Sequence, residues 1–263
     1  MVENAHIDRG IARIPIISMR RSFSHKDELI NQLLFGESYS VTEESSDQSW
    51  LKILTSYDKY EGWIQKEQHH SISEGYFEQI GNTEYKISTD VSSTILFNRH
   101  QMNIVMGSIL PISVNELFKM EEQLAFNGQA KSLGMRSQWD QIRQTALKYM
   151  YTPYLWGGKS TFGIDCSGLT QMVFRISGYF IARDASQQML NGLEIDFTDM
   201  KPGDLAFFNN EEGVIGHVGI ILEEGQIIHA SGDVRIDNLT KKGIFKADGV
   251  QTHTFHQIRR ILT

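Results

Sequence analysis

Gly163-Ile164-Asp165-Cys166-Ser167-Gly168-Leu169-Thr170-Gln171-Met172-Val173-Phe174-Arg175-Ile176-Ser177-Gly178 is the stretch on which the fold turns. Leu169, Met172, Val173 and Ile176 fall at i, i+3, i+4 and i+7, so the spacing predicts an amphipathic helix from about Cys166 to Ser177, stopped at Gly178. Cys166 is the single cysteine of the chain, and no intramolecular disulfide can form. It opens the helix rather than joining its apolar stripe. A helix N-terminus carries partial positive charge and free N–H groups, which favour the reactive thiolate and can also stabilise an oxyanion. The competing reading is a small hydrophobe packed under a turn.

Outward from this helix, Trp139, Ile142, Ala146 and Tyr149 predict another over 138–150. After Pro202-Gly203 the pattern turns to strands: Asp204–Phe208, His217–Leu222 and Gln226–Ala230. A helix-first, sheet-later domain is α+β in class. The last two strands flank Glu223-Glu224-Gly225, the form of a three-residue hairpin loop ending in a left-handed glycine. If Leu222 pairs with Gln226, paired residue numbers sum to 448. His217, Gly219 and Ile221 then share a face with Ile227 and His229, and His229 lies opposite Gly219, diagonal to His217. A loop one residue longer or shorter would put the two histidines on opposite faces. Shared placement suits a base and its orienting partner, against the plainer reading of two unrelated sheet histidines.

The first half shows no helical periodicity before about residue 114. Its short alternating runs are Tyr39–Thr42, Trp50–Leu54, Gly62–Ile64, Tyr85–Ile87 and Thr94–Phe97, separated by Gly, Asn, Asp and Ser clusters. That spacing predicts small barrels or sandwiches. The expected division is 1–72 and 73–130 as two small barrels and 131–263 as the helix-then-sheet domain, with the last boundary inside Asn127–Ser137.

Composition bounds the function. The 263 residues are 40% hydrophobic and 22% charged with a net charge of −7, an ordinary globular balance. There is no Lys/Arg run, so nucleic-acid binding is not expected. No stretch approaches the roughly 18 apolar residues of a membrane-spanning helix. The N-terminal segment lacks an unbroken apolar core before a cleavage site, and no lipidation motif is visible. The expectation is a soluble cytoplasmic protein, or an exported one whose signal has been removed. Nothing in the sequence speaks to oligomeric state. His69-His70 and His253 with His256 match no zinc pattern, so no metal or cofactor is expected. The methionines are read as core filler, and Glu43-Glu44 and Glu121-Glu122 as solvated faces.

Asp165-Cys166-Ser167-Gly168, Gly216-His217-Val218-Gly219 and His229-Ala230, in that order, resemble the NlpC family of cell-wall peptidases. Tyr154-Leu155-Trp156-Gly157-Gly158 is similar to the aromatic-Gly-Gly stretch before that family's nucleophile, and Lys201-Pro202-Gly203-Asp204-Leu205 to its strand-opening segment. The resemblance spans about 135–263 and implies papain-like geometry, with Cys166 as nucleophile, His217 as base and His229 as third residue. Gln32-Leu33-Leu34-Phe35-Gly36-Glu37 and Tyr60-Glu61-Gly62-Trp63-Ile64 resemble a bacterial SH3-like domain. Two such barrels before an NlpC domain resemble the subgroup that cleaves L-Ala-γ-D-Glu-diamino acid peptides. That likeness implies substrate binding by Glu37, Tyr60, Trp156, Asp165, Ser167, Arg183 and Asp184, with Glu37 and Tyr60 holding the free amino terminus of a small murein peptide. Ala185 stands where the subgroup's Arg-Asp-Ser segment has serine, and Asp184 with Gln187 also reads as a helix cap. The alternatives are a general wall endopeptidase acting on intact murein, a wall-binding protein with a degenerate peptidase domain, and another small-amide hydrolase or acyltransferase.

Overall fold

The computed structural model describes residues 8–82, 85–110, 124–210 and 212–262, so Glu121-Glu122 lies outside the described residues. The chain forms two compact units, Met1–Met135 and Arg136–Thr263.

In the first unit, strands β1 (Asp8–Ile11), β2 (Ile16–Arg20), β3 (Leu29–Leu34), β4 (Ser38–Glu44), β5 (Trp50–Thr55) and β6 (Glu61–Gln65) make one sheet in the order β1-β4-β5-β6-β2-β3. Its core holds Ile17, Met19, Leu33, Tyr39, Val41, Ile53 and Ile64, with Tyr60 packed against it. Helix α1 follows at Glu74–Asn82, where no helix was expected. It is nine residues long with Gly75 and Gly81 inside it, which weakens any propensity signal. It forms because Tyr76, Phe77 and Ile80 close on Ile11 and Ile72, a tertiary term that local sequence does not show. Strands β7 (Lys86–Ser88), β8 (Ser92–Phe97), β9 (His100–Val105), β10 (Ile109–Leu110), β11 (Leu124–Asn127) and β12 (Ala130–Ser132) form two three-stranded sheets, β10-β7-β12 and β11-β8-β9. Phe35 packs with Ile95, Ile104 and Leu110. Gly36 sits at φ +84°, and an added Cβ would lie 1.9 Å from the Ile109 carbonyl oxygen; only glycine fits this turn.

The second unit begins with α2 (Trp139–Leu147), which ends three residues before the expected limit of 150. Strands β13 (Lys159–Ser160) and β14 (Gly163–Ile164) form a small ribbon. Helix α3 runs Cys166–Ile176 with all eleven residues buried, and α4 is a single turn at Ala185–Gln188. The remaining strands are β15 (Leu193–Ile195), β16 (Leu205–Asn209), β17 (Ile215–Ile221), β18 (Gln226–Ser231), β19 (Asp233–Thr240), β20 (Gly243–Phe245) and β21 (Gln251–Arg260). β21 pairs with both β16 and β20, so β16 to β21 close into a six-stranded barrel with β15 added outside β21. Closure removes exposed strand edges. Ala206, Phe208, Ile221, Ile227, Leu239, Ile244 and Ile258 fill the inner face.

Two bulges set which side chains share that inner face. Phe208 pairs with His217 and Asn209 with Ile215, so Gly216 is an extra residue immediately before His217. On β21, Phe207 pairs with Gln257 and Phe208 with Phe255, so His256 is extra. Side chains alternate along a strand, and one extra residue flips the phase. Ile258 is inward; past the bulge Phe255 and His253 are inward too, with His253 opposite the core residue Ile244.

Candidate active site

The hairpin register is the expected one. Ile220 pairs with Ile228 and Ile221 with Ile227, both sums being 448, and the Leu222 N–H donates to the Gln226 carbonyl at 2.8 Å. Gly225 is left-handed at φ +69°, and Glu224 joins it at φ +57°. His217 and His229 therefore share the inner face, with His217 Nε2 and His229 Nδ1 2.9 Å apart. Both rings are buried. β19 continues the line: Arg235 pairs with His229 and Asp237 with Ile227, so both face inward. His229 Nε2 lies 3.1 Å from Asp237 Oδ2, and Arg235 Nε donates to that same oxygen at 2.9 Å.

This chain fixes the tautomers. A carboxylate only accepts, so Asp237 requires the proton of His229 on Nε2. His229 Nδ1 is then an acceptor and takes the Nε2–H of His217. The lone pair of His217 is left on Nδ1, the form a base needs. Asp237 was not among the sequence candidates. It lies two strands from His217, and only the register of both hairpins brings it there.

Helix α3 packs on β17. The backbone of Val218, next in chain to His217, and of Ser167 hydrogen-bond to the Cys166 thiol and favour thiolate. Burial outweighs them and, with the Asp165 charge, pushes the thiol up to about 12. Burial also drives His217 well below the usual imidazole range, helped by His253, His229 and Arg235. Burial lowers His229 while Asp237 pulls it back up. Burial thus opposes charge on both groups, and α3 sets Cys166 against β17, the strand that carries His217.

The nucleophile's helix start is braced from below. Asp165 caps α3, accepting from Gly168 N at 2.6 Å and from Gly157 N at 2.8 Å. Arg183 grips both Asp165 oxygens, at 3.0 and 2.7 Å, and donates to Ser167 Oγ at 2.9 Å. Arg183 is 1% exposed and Asp165 6%. An added Cβ on Gly168 would lie 2.3 Å from the Gly158 carbonyl oxygen, so the Gly157-Gly158 strip passes directly against the helix. Asp165, Ser167 and Arg183, expected to contact substrate, are hydrogen-bonded to one another at the start of α3. They position Cys166. Asp184 and Gln187 form the capping box of α4, with Asp184 N donating to Gln187 Oε1 at 3.4 Å. Trp156 is exposed.

A cavity of about 360 Å³ opens beside His217, lined also by Tyr154, Asn209, Asn210, Ser231 and His253 among others. His253, which the sequence left outside any site, stacks on His217 at 4.0 Å between centroids and 22° between planes.

In the first unit Glu37 is buried, and its carboxylate accepts from Leu34 N at 2.8 Å. Glu37 precedes β4 and Tyr60 precedes β6. Since Tyr39 pairs with Thr55 and Leu54 with Glu61, both residues lie at the same end of the sheet. Tyr60 lines a separate hollow with Arg21, Lys52 and Trp63. His69 hydrogen-bonds Asp8 at 3.0 Å and Tyr39 at 3.2 Å. Glu43 is exposed, and Glu44 pairs with Lys66.

Comparison with known proteins agrees with this arrangement. Residues 151–252 match the NlpC/P60 family and residues 19–68 the bacterial dipeptidyl-peptidase Sh3 domain. A gamma-D-glutamyl-L-lysine dipeptidyl-peptidase of Bacillus subtilis is 30% identical over 76% of this chain and 71% of its own length. Dipeptidyl-peptidase 6 of Lysinibacillus sphaericus is 30% identical over 87% of this chain and 92% of its own. The crystal structure of an NlpC/P60 family protein from Bacillus cereus superposes with a TM-score of 0.81 over 97% of this chain and all of that one, at 19% identity, and so shares the fold. With a lone cysteine opening a buried helix, a histidine relay on the adjoining strand and SH3-like strands before them, the chain belongs to the NlpC/P60 family of cysteine peptidases.

Proposed function

We propose that the enzyme hydrolyses the bond between γ-D-Glu and the diamino acid of small murein peptides that carry a free N-terminal L-Ala. The observation that carries the chemistry is the Asp237–His229–His217 relay, which leaves one lone pair on the His217 imidazole, on the strand whose Val218 backbone hydrogen-bonds the buried Cys166 thiol. The substrate class rests on the two relatives near 30% identity and on the Sh3 domain that accompanies them.

In the proposed reaction, His217 Nδ1 takes the Cys166 thiol proton as sulfur attacks the γ-carbonyl carbon. The negative oxygen that forms is stabilised by N–H groups at the start of α3. The C–N bond breaks, His217 passes its proton to the departing amine of the diamino acid, and a thioester remains. Water, deprotonated by His217, then hydrolyses the thioester and restores the thiol. Each imidazolium formed on the way is stabilised through His229 by the Asp237 carboxylate.

The free ammonium of L-Ala is assigned to Glu37 and Tyr60, and the substrate backbone to Trp156 and Asp184, following the family resemblance at those positions. A second reading has one specific observation behind it. The probable endopeptidase p60 of Listeria grayi is 39% identical over 99 residues, which favours a general wall endopeptidase. Digestion of L-Ala-γ-D-Glu-diamino acid tripeptide separates the two: release of L-Ala-γ-D-Glu and free diamino acid, with intact murein spared, supports the first. Solubilisation of intact murein at a comparable rate supports the second.

A further inference from the structure

Among the described residues, one group of metal-ligating side chains stands out: His217, His229 and His253, with one ligand atom from each ring within 4.8 Å of those of the other two. A tetrahedral zinc bound by imidazoles at about 2.0–2.1 Å places its ligand nitrogens about 3.3 Å apart and its ring centroids about 5 Å apart. The His217–His229 and His229–His253 centroid separations, 5.1 and 5.6 Å, are close to that value, whereas His253 stacks on His217 at 4.0 Å and 22° and must swing out of the stack to turn its lone pair on the ion. The second shell is also present. His229 Nε2 is held by Asp237 Oδ2 at 3.1 Å, the carboxylate–histidine pairing that orients a metal-bound imidazole. His253 Nδ1 is held by Thr252 Oγ1 at 2.9 Å, which turns its Nε2 over to a ligand. The cavity of about 360 Å³ lined by His217 and His253 gives an ion a path and leaves room for a water as fourth ligand.

We propose that His217, His229 and His253 form a binding site for a zinc-class divalent ion, and that its occupancy switches the peptidase off. The ion takes the place of the proton between His217 Nε2 and His229 Nδ1, which part from 2.9 Å to about 3.3 Å. The displaced proton moves to His217 Nδ1, so that ring stays neutral and no proton is released. A base is thereby converted into a donor that cannot accept the Cys166 proton. Inhibition rests on the assignment of His217 as base, whereas binding does not.

The test is a titration of the Cys166→Ala variant with zinc chloride by calorimetry, alongside zinc inhibition of the parent enzyme and its reversal by EDTA. One equivalent should bind to Cys166→Ala. His253→Gln should weaken that binding by more than the about tenfold expected for Asp237→Asn, a loss in the second shell. Each inhibition curve is normalised to that variant's own zinc-free rate. Cobalt substitution needs no variant: the parent should show d–d bands without a thiolate-to-metal charge-transfer band. EDTA should leave the zinc-free rate unchanged or raise it. Loss of zinc binding in Cys166→Ala, or a thiolate band with cobalt, would place the ion on the sulfur and overturn the site. Zinc bound tightly without inhibition would overturn the switch and, with it, the role of His217 as base.

Discussion

Asp237→Ala isolates the relay. Asp237 Oδ2 accepts from buried His229 at 3.1 Å and from Arg235 at 2.9 Å, and its side chain is 9% exposed. A hydrogen bond to a charged partner is worth about 1.5–3 kcal/mol net, about twice a neutral one. The relay must stabilise an imidazolium on His217 at each proton transfer, so the loss falls on the transition state. At about 1.36 kcal/mol per tenfold, kcat should drop about 10- to 150-fold. Asp237→Asn keeps an acceptor oxygen for His229 and loses the charge, so its deficit should be smaller, about 1–1.5 kcal/mol or about 5- to 13-fold. The assay is kcat on the tripeptide across pH, with the rate of iodoacetamide alkylation of Cys166 as a substrate-free readout. Both rates should rank parent above Asn above Ala. If both variants keep kcat within twofold of the parent while melting at lower temperature, Asp237 is structural and the tautomer argument fails.

Three further outcomes follow from the geometry. Cys166→Ala should abolish turnover and leave the unfolding temperature nearly unchanged, because a helix-start cysteine contributes little core volume; residual turnover would exclude a thiol nucleophile. His217 and His229 are held below the usual imidazole range, and His253 falls to about 4. Below about pH 6.5 the unfolded chain therefore binds protons that the fold excludes, so stability present above that pH should be lost as the pH falls toward 4; calorimetric melts from pH 8 to 4 in which His253→Phe does not flatten the loss would refute this for His253. Arg183→Ala strands the buried Asp165 carboxylate and should destabilise the second unit by about 3–5 kcal/mol in urea unfolding, with turnover falling as the start of α3 loosens.

How much was legible in advance depended on whether the information was local. The hairpin loop Glu223-Glu224-Gly225 carried its own register, so the shared face of His217 and His229 could be deduced from turn chemistry. The α3 periodicity likewise marked Cys166 as a helix-start residue. His253 was hidden because the extra residue at His256 reverses the strand phase, and no alternation pattern reveals a bulge. Asp237 was hidden because it reaches the site through a second hairpin whose pairing the sequence did not announce. Arg183 was legible as a motif, but its buried pairing with Asp165 was not, since it joins residues eighteen apart. Helix α1 is held down by Ile11, which is more distant in sequence than any helical period.

Mass spectrometry of three substrates under the same conditions decides what the enzyme cleaves: free L-Ala-γ-D-Glu-diamino acid tripeptide, the same peptide N-acetylated on Ala, and intact murein. L-Ala-γ-D-Glu and diamino acid should be released from the free tripeptide alone, and not by Cys166→Ala. Glu37→Gln, which removes the charge and keeps an acceptor oxygen for Leu34 N, should weaken that cleavage far more than it changes thermal stability. Equal rates on all three substrates, or a tripeptide left intact by the parent enzyme, would contradict the proposed function.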